Sequence, residues 1–140
     1  MHCSLTRRIA FHARHRYYRP EWSEAENRQR FGWTAEPPGH GHLYRVDVTV
    51  TGPLDPATQM IMDICALDAV LDEEIAQPLA GTFLNESVAV FASGAELPSC
   101  EALAAWCWGR VASRLNDTAR LERVRVAEDE TLWADCTGLS

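Results

Sequence analysis

The 140-residue chain is 46% hydrophobic and 24% charged, a balance that excludes the disordered regime and suits one folded domain spanning residues 1–140. Its formal net charge of -7 argues against a nucleic-acid partner, although Arg7, Arg8, Arg14, Arg16 and Arg19 make the N-terminal region basic enough to meet a small anion. No apolar run approaches the ~20 residues that span a bilayer, no secretory apolar core opens the chain, and five cysteines without a Cys-x-x-Cys pair predict free, mostly buried thiols in a cytoplasmic protein with no membrane partner.

Leu5 to His15 alternates as a strand does, with Ile9, Phe11, Ala13 and His15 on one face. Glu21 to Phe31, after Pro20, reads as a short surface helix or ordered loop, and Gly32 to Gly41, with Pro37 and Pro38, as a loop. Leu43 to Thr51 is the clearest strand: Tyr44, Val46, Val48 and Val50 point one way, Arg45, Asp47, Thr49 and Thr51 the other. Asp63 caps a helix with an apolar stripe of Leu67, Val70, Leu71 and Ile75, which Pro78 is expected to stop. A second helix starts near Pro98 and Ser99 and buries Leu103, Cys107, Val111 and Leu115, thickened by Trp106 and Trp108. Leu121 to Cys136 supplies two strands or a bent pair, with Val124 and Val126 on one face. The grouping of strands and helices predicts an α+β fold, an antiparallel sheet with two helices on one face, because a doubly wound fold would alternate them.

The chemistry concentrates in Gly39-His40-Gly41-His42. Two imidazoles at i and i+2 on an extended chain face the same way and can address one ion. Alone the pair is a weak signal, and a catalytic zinc site needs a third protein ligand while leaving one position open. His15 closes the first strand with the parity of Phe11 and Ala13, whereas His12 has the opposite parity, so His15 is the preferred third ligand. Glycines around the pair let backbone and substrate approach closely. Glu128 continues the apolar face of Val124 and Val126 and therefore requires a partner, either a ligand offering N–H donors or an internal arginine.

Taken together, Phe11-x-Ala13-x-His15-Arg16, Gly39-His40-Gly41-His42-x-Tyr44-x-Val46-x-Val48-x-Val50-x-Gly52, Met60-x-Met62-Asp63, Leu84-Asn85, Pro98-Ser99-Cys100-Glu101 and Val124-x-Val126-x-Glu128 resemble the 6-pyruvoyl-tetrahydropterin and 6-carboxy-tetrahydropterin synthases from about Ile9 to Gly138. The resemblance implies a tunnelling fold (T-fold) whose four-stranded sheets join into an oligomeric barrel. A homo-oligomer follows, a hexamer of two stacked trimers favoured, with active sites between subunits. It further implies a zinc ion (Zn2+) on His15, His40 and His42, and a pterin ring anchored by Glu128 and bordered by Ser99, Cys100 and Glu101. Glu101 also suits the first turn of its helix, where acidic residues are favoured.

The chain departs from the family pattern at the residues that move protons. Where the family places a cysteine ahead of the histidine pair, this chain has Thr34 or, on the shorter spacing, Glu36, and Ala80-Gly81 stands where an Asp-His pair is expected. A branch of the family that the chain resembles uses glutamate at the cysteine position, so Glu36 is the candidate base. The expected activity is that of a zinc-dependent carbon-oxygen or carbon-carbon lyase, or an aldolase-type enzyme, on a pterin-like heterocycle. A recruited enzyme for another biosynthetic intermediate, its pocket reshaped by His12, Tyr17, Tyr18 or Thr34, and a non-catalytic zinc-stabilised ligand-binding subunit are the alternatives.

Overall fold

A computed structural model describes residues 2–139. Strands β1 (Ser4–His15), β2 (His40–Thr51), β3 (Arg120–Ala127) and β4 (Trp133–Cys136) form one antiparallel sheet in sequence order. Alternation assigns the faces. Ile9 lies opposite Val46, Phe11 opposite Tyr44, Val48 opposite Val124 and Val126 opposite Ala134, so one face forms a continuous apolar layer. A register shift at Thr49/Val50 skips one residue of β3 and brings Leu121 opposite Val50, which keeps an apolar pair on the core side. The end of β2 abuts Thr118 so closely that a side chain at Gly52 would collide with the Thr118 carbonyl.

The other face is polar and internally paired. Arg8, Asp47, Arg125 and Asp135 lie on one line across all four strands. Arg8 donates to both oxygens of Asp47 at 2.7 and 3.0 Å, and Arg125 to both of Asp135 at the same distances. Such two-pronged pairing covers Asp47, which is only 8% exposed despite facing away from the core.

β2 begins at His40, three residues earlier than its periodicity suggests, because Gly41 and His42 continue the ladder opposite Arg14 and Ala13. The preceding loop is correspondingly shorter and contains a tight 3-10 turn, Gly32–Ala35. Ahead of it, α1 (Glu24–Phe31) realises the expected surface helix; Ser23 caps it and Asn27 anchors it by donating to the carbonyls of Arg19, Trp22 and Ser23.

Asp63 caps α2 (Ile64–Leu71) as expected, but Pro78 does not stop the helical path. A π turn over Asp72–Ala76 carries it into α3 (Gln77–Leu79), with Pro78 inside the last turn. A proline there offers no N–H to the carbonyl four residues back. That carbonyl, of Glu74, instead accepts from Arg110 Nε at 2.8 Å. Two four-residue helices, α4 (Leu84–Ser87) and α5 (Ala89–Ala92), add to the anticipated pair and bury Leu84 and Phe91. α6 (Cys100–Ala112) is capped by Ser99 and packs Leu103, Ala104, Cys107 and Val111 against β3 and β4. Leu115 lies beyond its end and is half-buried.

All five thiols are unpaired as expected, yet only Cys100 and Cys107 are buried and Cys65 is exposed. No helix among the described residues is long and apolar enough to cross a membrane. Leu71, fully enclosed between the sheet and its neighbouring helices, tests the layer directly. Leu71→Ala should lower the unfolding free energy by about 2–5 kcal/mol in urea, whereas Leu139→Ala, at a position 59% exposed, should change it by less than about 0.5 kcal/mol.

Candidate functional site

The end of β1 meets the start of β2, with His15 directly opposite His40 and His42 opposite Ala13. Identical strand parity turns all three rings to the core side. One ligand nitrogen from each lies within 4.8 Å of the others. His15 Nε2 and His42 Nε2 are 3.2 Å apart, close to the ~3.3 Å edge that four ligands at about 2.0 Å from a zinc-sized ion would make. His15 is completely buried, and its Nδ1–H donates to the Pro98 carbonyl at 2.8 Å. That bond fixes the tautomer and leaves the Nε2 lone pair facing its neighbours.

Burial pushes His15 down to about 4, outweighing the opposing effects of the Pro98 bond and of Glu128. His40 is lowered as well, first by burial and then by His42. Imidazoles held neutral are metal donors, so the set fits a borderline ion such as zinc, copper or nickel. The approach of β2 depends on Gly39. Its φ is +95°, and a Cβ there would lie 2.7 Å from the His15 carbonyl oxygen, a separation that only glycine avoids.

Glu128, 6% exposed, sits against the histidines as its strand parity predicts. Its Oε1 is 3.8 Å from His15 Nε2 and its Oε2 3.6 Å from His42 Nε2. No arginine pairs with it among the described residues. Tyr17 donates its hydroxyl to Oε1 at 3.0 Å, a contact that singling out Tyr17 for pocket shape alone does not reveal. The signal for it is parity: Tyr17 lies two residues beyond His15 and continues the inward-facing row. Burial, reinforced by the Glu128 charge, raises the Tyr17 hydroxyl and keeps it a donor. Burial and the same carboxylate push the Cys100 thiol up to about 12.

Beside Tyr17 opens a pocket of about 320 Å³, walled by Phe31, Ser99, Cys100, Glu101 and Trp133. Ser99 serves both the pocket and the α6 cap. Glu101 lines the pocket from the first turn of its helix. Trp33, 68% exposed, leans on His40 with ring centroids 4.7 Å apart.

Glu36 has a different setting. It follows the 3-10 turn, is exposed, and accepts from Arg28 Nε at 2.7 Å and Nη2 at 3.5 Å. That bond and the Arg28 charge hold its carboxyl below the usual range. The fold therefore brings together His15, His40, His42 and Glu128, borders them with Ser99, Cys100 and Glu101, and turns Glu36 toward α1. Thr34 is spent on the Phe31 carbonyl, and the Gly81 N–H donates to the His12 carbonyl.

A family model described as 6-pyruvoyl tetrahydropterin synthase matches residues 4–138. The 6-pyruvoyl tetrahydrobiopterin synthase of Homo sapiens is 38% identical over 126 residues, covering 90% of this chain and 85% of that protein. The synthase of Drosophila melanogaster is 37% identical over 125 residues, covering 89% and 73%. The structure of the Caenorhabditis elegans 6-pyruvoyl tetrahydropterin synthase matches with a TM-score of 0.90 at 24% identity, over 99% of this chain and 97% of that one. The Plasmodium vivax synthase matches at 0.68 and 11% identity over 97% of each chain, and two further structures of it are described as mutants of a catalytic glutamate. At these identities the structural matches establish the fold, while the family model and the sequence relatives establish descent. The chain belongs to the 6-pyruvoyl tetrahydropterin synthase family.

Proposed function

We propose that the protein is a zinc-dependent lyase or aldolase-type enzyme acting on a pterin or pterin-like heterocycle, with the metal on His15, His40 and His42. The observation that carries this reading is the convergence of three imidazoles beside the buried Glu128 carboxylate, next to a pocket sized for a flat ring. Membership of a family whose curated members are named as pterin synthases supports the substrate class. Bound there, zinc would supply Lewis-acid polarisation of a ligand hydroxyl or carbonyl oxygen.

The chain's own residues do the rest. Glu128 accepts ring N–H donors, with Tyr17 steadying Oε1 and leaving Oε2 the freer acceptor. Ser99, Cys100 and Glu101 border the ring. Glu36 is the candidate base, a residue type with a counterpart in the Plasmodium vivax synthase, whose mutants are described by a catalytic glutamate. To accept a proton it must leave Arg28, whose charge makes it a weaker base. We further propose a cytoplasmic homo-oligomer, a hexamer favoured, with sites between subunits. The open edge at β4, and the exposure of Trp33, Leu132 and Trp133 around the site, support association.

The Glu36–Arg28 pair, together with Ala80-Gly81 in place of two proton-moving side chains, favours a second reading. In it the site binds its ring without the family's turnover, or serves a different heterocycle.

Zinc-loaded protein incubated with dihydroneopterin and with its triphosphate, followed by mass spectrometry, should show loss of the side chain or of triphosphate. Unchanged substrates would support the second reading. His40→Ala should hold well under one metal ion per subunit by elemental analysis, and a full complement would remove His40 from the ligand set. Glu36→Gln should abolish turnover while metal content and ligand binding persist; undiminished turnover would exclude Glu36 as the base.

A further inference from the structure

Tyr17 lies just beyond β1, and its side chain stands between two cavities. It lines the pocket of about 320 Å³ with Phe31, Ser99 and Cys100, whereas Glu128 lines a second cavity of about 520 Å³ with His42, Leu43 and Arg45. The hydrogen bond of 3.0 Å from the Tyr17 hydroxyl to Glu128 Oε1 therefore spans the wall between them. A ring lying in the smaller pocket meets the Tyr17 hydroxyl on its way to the carboxylate.

Both partners are firmly placed. The Tyr17 N–H donates to the Thr34 carbonyl at 3.0 Å, and the Asn85 side chain grips the preceding residue, accepting from the Arg16 N–H at 3.0 Å and donating to the Arg16 carbonyl at 2.9 Å. The Tyr17 ring packs edge-on against His15, with centroids 5.0 Å apart, and against Phe31 at 6.0 Å. Glu128 is fixed through its own N–H, which donates to the Leu132 carbonyl at 3.1 Å.

The hydroxyl changes what Glu128 can recognise. An ionised carboxylate is acceptor-only, and a bare one presents its two oxygens to two adjacent N–H donors. Here Oε1 already takes the Tyr17 hydroxyl and has His15 Nε2 3.8 Å away. Among the described residues, Oε2 takes no N–H or O–H donor and has His42 Nε2 3.6 Å away, so it keeps a free acceptor direction. A phenol hydroxyl, unlike a carboxylate oxygen, can also turn its proton to a carbonyl. The pair thus offers a ligand one acceptor and one donor, where the carboxylate alone offers two acceptors.

We infer that Tyr17 is a specificity-determining residue that adapts the Glu128 anchor to a ring edge carrying one N–H donor beside one carbonyl acceptor, the edge of a cyclic amide. In the bound state the ring N–H donates to Oε2 and the Tyr17 hydroxyl donates to the neighbouring carbonyl. That the occupant is a heterocycle rests on the proposed function; the donor and acceptor that Tyr17 and Glu128 present do not.

Fluorescence titration of the full-length protein with two rings separates the edges: lumazine, whose ring N–H is flanked by carbonyls, and pterin, whose amino group and ring N–H are adjacent donors. Wild type is expected to bind both. Tyr17→Phe keeps the aromatic ring and its packing but leaves a carbonyl without its donor, so lumazine should weaken about tenfold or more. Pterin, free to address both carboxylate oxygens in that variant, should bind nearly unchanged. Glu128→Gln should weaken both rings. An equal change for the two rings in Tyr17→Phe, or no change, would overturn the assignment by leaving Tyr17 a packing role alone. Lumazine binding that survives Glu128→Gln would overturn it too, by placing the ring away from the anchor. Binding of neither ring by wild type would overturn the specificity role together with the pterin reading of the site. Selective loss of lumazine in a protein that turns over no pterin would uphold the role of Tyr17 while the lyase reading failed.

Discussion

The β1–β2 register determines nearly everything at this site. Two strands of twelve residues pair so that His15 meets His40 on the last rung and Ala13 meets His42 two rungs in. Side chains alternate with period two, so a slip of one residue would send His40 and His42 away from the core and turn Arg45 and Asp47 into it, while His15 stayed with the core. The histidines need not hold this register themselves. It is pinned further along the ladder by Ile9 against Val46 and Phe11 against Tyr44 on one face, and by Arg8 against Asp47 and Thr6 against Thr49 on the other. Each such cross-strand pair contributes roughly 0.2–1 kcal/mol, and burying an apolar side chain contributes about 1.5–3 kcal/mol. The geometry of the histidine cluster thus follows from packing outside it.

A second constraint joins the histidines to the neighbouring pocket. The His15 Nδ1–H reaches the Pro98 carbonyl, immediately before the Ser99 cap of α6. The same turn presents Ser99, Cys100 and Glu101 to the pocket, so one short segment sets both the His15 tautomer and the pocket wall. Tyr17 closes the arrangement from β1 by bonding to Glu128 at the end of the β3 ladder. Three separate stretches of chain therefore converge through two hydrogen bonds, the His15 bond buried and the Tyr17 bond partly so.

What the sequence made legible was whatever repeats with a fixed period. Strand parity assigned His15 to the core and His12 to the outside, placed His40 and His42 on one face, and put Glu128 under the apolar layer; each of these placements recurs in the fold. Features decided by tertiary contact were not legible. Pro78 reads locally as a stop, and only Arg110, thirty-odd residues away in sequence, shows how the freed Glu74 carbonyl is satisfied. Glu36 lies four residues before His40, which suggests a place beside the ligands. The 3-10 turn and the Arg28 guanidinium direct its carboxylate to α1 instead. No periodicity encodes a contact of that kind.

The segment around Ala80-Gly81 is tied to β1 through its backbone. What this stretch gives the fold is backbone: Gly81 N–H to the His12 carbonyl, and Thr82 carbonyl from the Arg14 N–H, extending the sheet by one short parallel contact at Phe83. Those bonds use no side chain, but Gly81, at φ +73°, holds a backbone conformation that favours glycine, so the constraint falls on position 81. The imidazole cluster is constrained as well, because Gly39 cannot gain a Cβ and His15 cannot lose its Pro98 bond without moving a ring of the cluster. The geometry of the three histidines is therefore held by contacts outside the cluster itself, at a glycine and at a backbone carbonyl.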